Sequence, residues 1–436
     1  MHDSRTMTLT SDLTRLIRTK PVSNDDLAAA AAFVLDAVAN ALAARQSLQG
    51  QILLDWYGTQ GRDTGRQAFL FGSLVHVLEM DDLHRESVTH PACAVIPAAW
   101  SIAAANGIGG VEFLRAVLSG YEAVCRIGNA VGPAHYKVWH NTATCGPYGA
   151  AFAAATLLAL TDEQTVWALG NAGTQSAGLW QFLEDGAMSK HLHAGRAAEA
   201  GVLAAELAAR GFTGPAAILE GRKGFFVAAC PDARPERVLA DPAAPWQLRV
   251  TSIKPWPSCR HTHPAIDAAL ELYGRVASRD IASVRIDTYQ AALDLCDNAK
   301  PISEYEAKFS LQHCVAVALT DGAVTLGSFD GTARDRLVML SRKTAAQATG
   351  AYNTAYPDRW GAQLTVQTAD GETLVADRQG CKGDPELALS PEELRVKAAT
   401  LLAHAGMPKA QARALQDALL ALPRGGALPD IAALLH

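Results

Sequence analysis

Glu79, Asp81, Asp82, His84 and His90 crowd into residues 78–97, LEMDDLHRESVTHPACAVIP, between two apolar runs. A charged, histidine-bearing insert flanked by core-type sequence is costly to bury unless its groups are paired or put to use. An imidazole moves protons near neutral pH, and a neighbouring carboxylate fixes its tautomer and orientation. His90 is therefore a candidate acid–base group, with Asp81 or Asp82 as its orienting partner. The plainer alternative is a solvated interhelical loop whose acids cap helices.

Three later segments join a His or Lys to a small-residue, helix-forming run. VWHNTATCGPYGAA carries His140 ahead of a Gly-rich turn, with a helix expected from about residue 147 whose free N–H groups suit a carboxylate. MSKHLHAGRAAE carries Lys190, His193 and Arg196; Arg pairs with carboxylates through two bonds and Lys acts as a point charge. IKPWPSCRHTHPAIDAA carries Lys254, Arg260, His261 and His263 in a Pro-punctuated loop at an expected domain boundary. Its basic groups read either as a structural loop or as a cationic wall of an interdomain cleft. His261 and His263 alternate as metal ligands can, but spacing sets no third ligand, so no metal is expected. Together the four segments look like a dispersed acid–base site rather than one local motif.

The elements that must position them divide by texture. Residues 23–230 are rich in Ala, Leu and Gly at helical spacing, and Ser23 with Asp26 forms a capping-box-like start. Further helices are predicted near 66–80, 94–105, 110–130, 147–160, 163–170 and 192–210. After the Pro-rich 231–246, strands are predicted at 283–289, at 323–329, and as a hairpin across Asp370-Gly371. Ser390 and Pro391 restart a helix. The reading is mainly α: an all-helical domain from 1–246 and 386–436, discontinuous in sequence, and a smaller α+β domain at 247–385.

Composition excludes several classes. With 436 residues, 49% hydrophobic and 19% charged, the chain is globular and long enough for two domains. A net charge of −6 without a basic stripe argues against nucleic acid. No signal-peptide core or uninterrupted apolar span is read, so no membrane partner and a cytoplasmic location are expected. The eight cysteines include no C-x-x-C pair, which argues against a zinc ribbon or iron–sulfur cluster. GTQSAGL at 173–179 lacks the first Gly of a nucleophile elbow, and NGIGGVE at 106–112 places Glu112 where a dinucleotide loop needs Gly. No cofactor is expected.

These segments, together with EAKFSLQHCVAVAL and KGDPE, resemble the MmgE/PrpD family in content and order. That family includes 2-methylcitrate dehydratase, cis-aconitate decarboxylase and iminodisuccinate epimerase. The resemblance covers nearly the whole chain. It implies a helical domain built from both chain ends, a smaller α+β domain, usually a homodimer, and cofactor-free chemistry on a small polycarboxylate. It also implies that His90 and His140 are the site histidines, Lys190 and Lys254 the site lysines, and Asp81 and Asp82 the acidic pair. His193, Arg196, Arg260, His261 and His313 are the candidate substrate-binding groups.

Against the decarboxylase-type members, Glu79 replaces Asp, Leu83 replaces Thr, and His313 stands where an aromatic Tyr is frequent. The leading expectation is therefore a lyase of the 2-methylcitrate dehydratase kind. Decarboxylation, epimerisation of an imino- or hydroxy-dicarboxylate, and simple carboxylate binding on the same fold are the alternatives.

Overall fold

The computed structural model describes residues 8–61, 63–276 and 279–435. In chain order the helices begin with α1 (Leu9–Thr19), α2 (Asn24–Ala44), α3 (Leu48–Gly58), α4 (Thr64–Val77), α5 (Pro91–Asn106) and α6 (Gly110–Ala130). There follow α7 (Pro133–Tyr136), α8 (Asn141–Leu157), α9 (Asp162–Gly173), α10 (Gln181–Asp185), α11 (Ser189–Ala209) and α12 (Phe225–Ala229). Next come α13 (His263–Val276), β1 (Ile281–Thr288), α14 (Gln290–Cys296), α15 (Glu304–Lys308), α16 (Leu311–Asp321) and α17 (Gly331–Arg342). β2 (Thr344–Ala348), α18 (Gly350–Ala355), β3 (Ala362–Thr368), β4 (Thr373–Arg378), α19 (Pro391–His404) and α20 (Lys409–Leu420) complete the set used below. The protein is mainly α with an α+β second unit.

The first unit takes the chain up to Val77, then Asp81–Thr251 and Pro391 onward; the second takes Leu78–Met80 and Ser252–Ser390. Each long boundary thus falls after the expected 246 and 385, and three residues of the acidic insert count with the second unit.

In the first unit, reciprocal caps start the helices. The Ser23 hydroxyl accepts the Asp26 amide at 3.2 Å, and the Asp26 carboxylate accepts the Ser23 amide at 3.0 Å. α4, α5, α6, α8 and α11 then pack on one another. Their small residues explain how closely. A Cβ on Gly149 of α8 would lie 2.8 Å from the Gly120 carbonyl oxygen of α6 and 2.8 Å from Val124 Cβ. Gly149→Ala must force α6 and α8 apart, so a loss of about 1–3 kcal/mol in stability is expected, readable by thermal melting. An unchanged melting temperature would show that the interface relaxes freely. α2 has the length and apolarity to cross a bilayer, contrary to the sequence expectation, but 83% of its apolar window is buried. α19 docks on it, with the buried Lys397 ammonium 2.5 Å from Asp36.

The second unit holds a sheet of order β2-β1-β3-β4, parallel between β1 and β2 and antiparallel elsewhere. Val284 and Ile286 of β1 register with Val366 and Leu364 of β3, which register with Leu374 and Ala376 of β4. This alternating apolar set packs with α13 and α16 in one core. The hairpin at Asp370-Gly371 forms as predicted, with Gly371 at φ 94°. The strand predicted at 323–329 does not. Thr325 and Ser328 exchange side-chain bonds with each other's amides and wind Leu326–Phe329 into a 3-10 turn. β2 was not predicted, because TAAQA lacks β-branched alternation and forms a strand by pairing with β1.

Candidate active site

Three helix N-termini in the first unit carry the principal candidates. His90 is the N-cap of α5, with Pro91 in the first helical position, and His140 is the N-cap of α8. α8 therefore begins six residues before Pro147, which lies inside it rather than starting it. Lys190 is the second residue of α11. Thr142 ties the first two termini together, its hydroxyl accepting the His90 amide at 3.0 Å. Asn141 donates to the Ser87 carbonyl at 2.8 Å, anchoring the acidic insert to α8. All three side chains are largely or wholly buried.

The acidic pair divides its work differently from the expectation. His90 Nδ1–H donates to the Asp82 backbone carbonyl at 2.5 Å, so the main chain, not a carboxylate, sets its tautomer. The Asp82 carboxylate instead caps α5 by accepting the Ala92 amide at 3.1 Å and also accepts the Tyr121 hydroxyl at 2.8 Å. Burial, and next the charge of Asp81, hold the Asp82 carboxyl well above its usual range, although both donors oppose the rise. Asp81 lies 2.6 Å from His76 Nδ1 and 3.6 Å from His90 Nδ1. His76, in the last turn of α4, is a residue the sequence reading did not single out. Its ring centroid lies 4.7 Å from that of His90, 5.8 Å from that of His140 and 6.4 Å from that of His191.

His193 completes the group, with Nδ1 3.3 Å from His140 Nδ1. Burial first, then the nearby His76, Lys190, His193 and His90, push His140 well below the ordinary histidine value. Burial, then His76 and Lys190, push His193 down to about 4. His140 and His193 are thus held as neutral imidazoles close to Lys190. Backbone strain is concentrated in the insert: Glu79 and Val88 adopt left-handed φ values of 59° and 49°, and a β-branched residue rarely does so. His76, Asp81 and His90 each offer one ligand atom within 4.8 Å of the others.

Arg196 is not brought to this cluster. Its side chain is 54% exposed and pairs with Glu199 along α11. A cavity of about 330 Å³ lined by Phe71, Trp100, Ile108 and Ile431 contains none of these groups.

In the second unit, Lys254 is buried with Nζ 3.8 Å from the Glu79 carboxylate. Arg260, His261, His263 and His313 of that unit each have partners within it. Arg260 is buried against Asp384 and donates to the Lys382 carbonyl at 3.0 Å, fixing the KGDPE loop. His261 stacks on Trp360 at 4.3 Å with Nδ1 2.7 Å from the Tyr289 hydroxyl, and burial pushes it down to about 3. His263 has Nδ1 2.9 Å from Arg260 and Nε2 3.3 Å from the Ser258 carbonyl, so it does not pair with His261. His313 of α16 donates to the Ser328 carbonyl at 2.8 Å and closes the 3-10 turn.

Residues 12–238 match the MmgE/PrpD N-terminal domain, and residues 256–422 match the MmgE/PrpD C-terminal domain. The chain belongs to the MmgE/PrpD family. Among its MmgE/PrpD relatives, cis-aconitate decarboxylase of Aspergillus terreus is 26% identical over 392 residues, covering 84% of this chain and 79% of the relative. Human cis-aconitate decarboxylase is 27% identical over 355 residues, covering 76% and 71%. The 2-methylcitrate dehydratase of Cupriavidus necator is 29% identical over 131 residues, covering 27% of each chain. For an MmgE/PrpD chain, the signal that would have revealed His76 was Asp81 five residues on, across the bend that ends α4.

Proposed function

We propose that this protein is a cofactor-independent lyase acting on a small di- or tricarboxylic acid, and that it dehydrates a hydroxy-polycarboxylate such as 2-methylcitrate. The observation that carries the reading is the meeting of His90, His140 and Lys190 at the first turns of three helices in one unit. Helix N-termini favour anions, and the buried Lys190 side chain beside His140 favours them further. Lys190 holds a substrate carboxylate and stabilises the negative charge that builds beside it when a C–H bond breaks. His90 and His140 handle protons at the reacting carbon and the leaving group. The family resemblance gives Lys254 a substrate carboxylate as well, and its complete burial with Glu79 suits a functional lysine. Dehydration needs proton transfer at two positions, which a multi-imidazole cluster supplies.

A second reading is decarboxylation of an aconitate-like acid. It is favoured by the length over which the fungal decarboxylase aligns, 84% of this chain against 27% for the dehydratase. Proton NMR of the purified protein in heavy water, with citrate, 2-methylcitrate, cis-aconitate, malate and iminodisuccinate, separates the two. A new alkene signal from a hydroxy acid supports the dehydratase. Loss of carbon dioxide with deuterium on carbon supports the decarboxylase. Exchange without a new skeleton indicates an epimerase, and silence on all five from folded protein would mean an acid outside this set or a binding role, and 2-methylcitrate would fall as the substrate.

A further inference from the structure

Every buried histidine of this fold faces the same requirement: two ring nitrogens must find partners or water. His135 meets it within the protein, with Nδ1 2.7 Å from the Ala229 carbonyl and Nε2 2.8 Å from the Thr144 hydroxyl. His263 meets it with Arg260 and Ser258. His76 does not. It is completely buried, its Nδ1 lies 2.6 Å from Asp81, and its Nε2 has no hydrogen-bond partner among the described residues. A buried nitrogen left unpaired costs about 1–3 kcal/mol, so an unpartnered one amid three other imidazoles marks a place for something that binds.

The geometry points to His76 as a third, substrate-contacting imidazole of this cluster, which donates a proton through Nε2. This rests on the lyase reading above and refines it. A carboxylate only accepts, so the proton on Nδ1 belongs to the bond with Asp81, and Nε2 is the nitrogen that exchanges. Asp81 is the counter-ion when both nitrogens carry protons. In dehydration, the C–O bond breaks with its electron pair on oxygen, the oxygen takes the Nε2 proton, and water leaves. His76 is then neutral with its Nδ1–H still on Asp81, while His90 and His140 are left to serve the carbon-bound proton. In decarboxylation, the same Nε2 proton goes to the carbon that carbon dioxide has vacated. His76 is well placed for either, because its ring neighbours His90 and His140 belong to the two helix termini that receive the substrate.

The test compares His76→Ala and His76→Gln with wild type on whichever acid the wild type converts. The expected result is a kcat about 10²–10⁴-fold lower in both, with a far smaller change in KM. Added imidazole should restore part of the turnover of His76→Ala, more so for imidazoles that are more protonated at the assay pH. Wild-type kcat in either variant would overturn the proposal. So would folded, substrate-binding but unrescued His76→Ala, since that is the behaviour of a residue that only positions its neighbours. A readout independent of turnover keeps the lyase reading separate. In ¹⁵N-histidine-labelled wild type, citrate should shift the His76 Nε2 resonance and leave Nδ1 protonated. An unmoved Nε2 signal at saturating citrate would refute contact even if the enzyme is active, whereas an inactive enzyme with a shifted signal would sink only the reaction.

Discussion

Lys190→Met is expected to lower kcat/KM by about 10²–10³-fold, whereas Arg196→Ala, six residues along the same helix, should leave it unchanged. Helical geometry explains the contrast. At about 3.6 residues per turn, position 193 returns to the face of position 190, and position 196 is turned well away from it. The structure follows this rule: Lys190 is buried among the histidines, and Arg196 is in solvent with Glu199. Methionine keeps the length and apolar stem of lysine while removing the charge, so the fold should persist. The division between kinetic constants is informative. Loss of a lysine that only holds a carboxylate raises KM, and loss of one that also stabilises developing charge lowers kcat. Equal loss in the Arg196 variant would mean that the basic face of α11, not the buried terminus, attracts the substrate.

The same helical rule marks what could be read from sequence and what could not. Caps and Ala-rich periodicity made the helices of the first unit legible, since Ser23 and Asp26 state their own hydrogen bonds. His90 and His140 stood out because they interrupt apolar sequence just before small-residue helices. His76 was hidden for the opposite reason. It lies inside α4 between Val75 and Val77 and looks like any core histidine until Asp81 folds back onto it. For Arg260, His261 and His313, nearness in sequence to Lys254 or to a family motif says nothing of side-chain direction. Each is committed to a partner brought up by distant chain: Asp384, Trp360 and Ser328 respectively. The strand β2 was illegible since its partner, not its composition, makes it a strand.

Acid should destabilise this protein well before its carboxylates titrate normally. Burial, opposed by Gln247 and aided by Arg85, pushes His84 down to about 4, and burial pushes His261 down to about 3. His135, His140, His193 and His313 are also lowered, in each case chiefly by burial. In the unfolded chain these rings take protons near pH 6.5, and in the folded chain they do not. The unfolded state therefore binds more protons, and stability falls as pH drops from about 6.5 towards 4 for His84 and towards 3 for His261. His84 alone accounts for roughly 3 kcal/mol by pH 4, at about 1.4 kcal/mol per unit. Asp82 and Asp267 act in the opposite sense, since burial raises both carboxyls and each takes a proton in the folded state first, but they are two groups against six histidines. The structural consequence is local as well as global. His84 Nδ1 accepts the Ser87 amide at 3.2 Å, so a proton on that nitrogen breaks the bond that shapes residues 84–89. That loop leads directly into His90, and its His84–Thr89 bridge closes at 2.9 Å. Urea unfolding at pH 7.5, 6.5, 5.5 and 4.5 should show a stability that declines steadily below 6.5, and His84→Asn should flatten part of the decline. A flat profile between pH 7.5 and 5 would mean that these histidines are hydrated in solution, and the lowering of His140 and His193 would lose its physical basis.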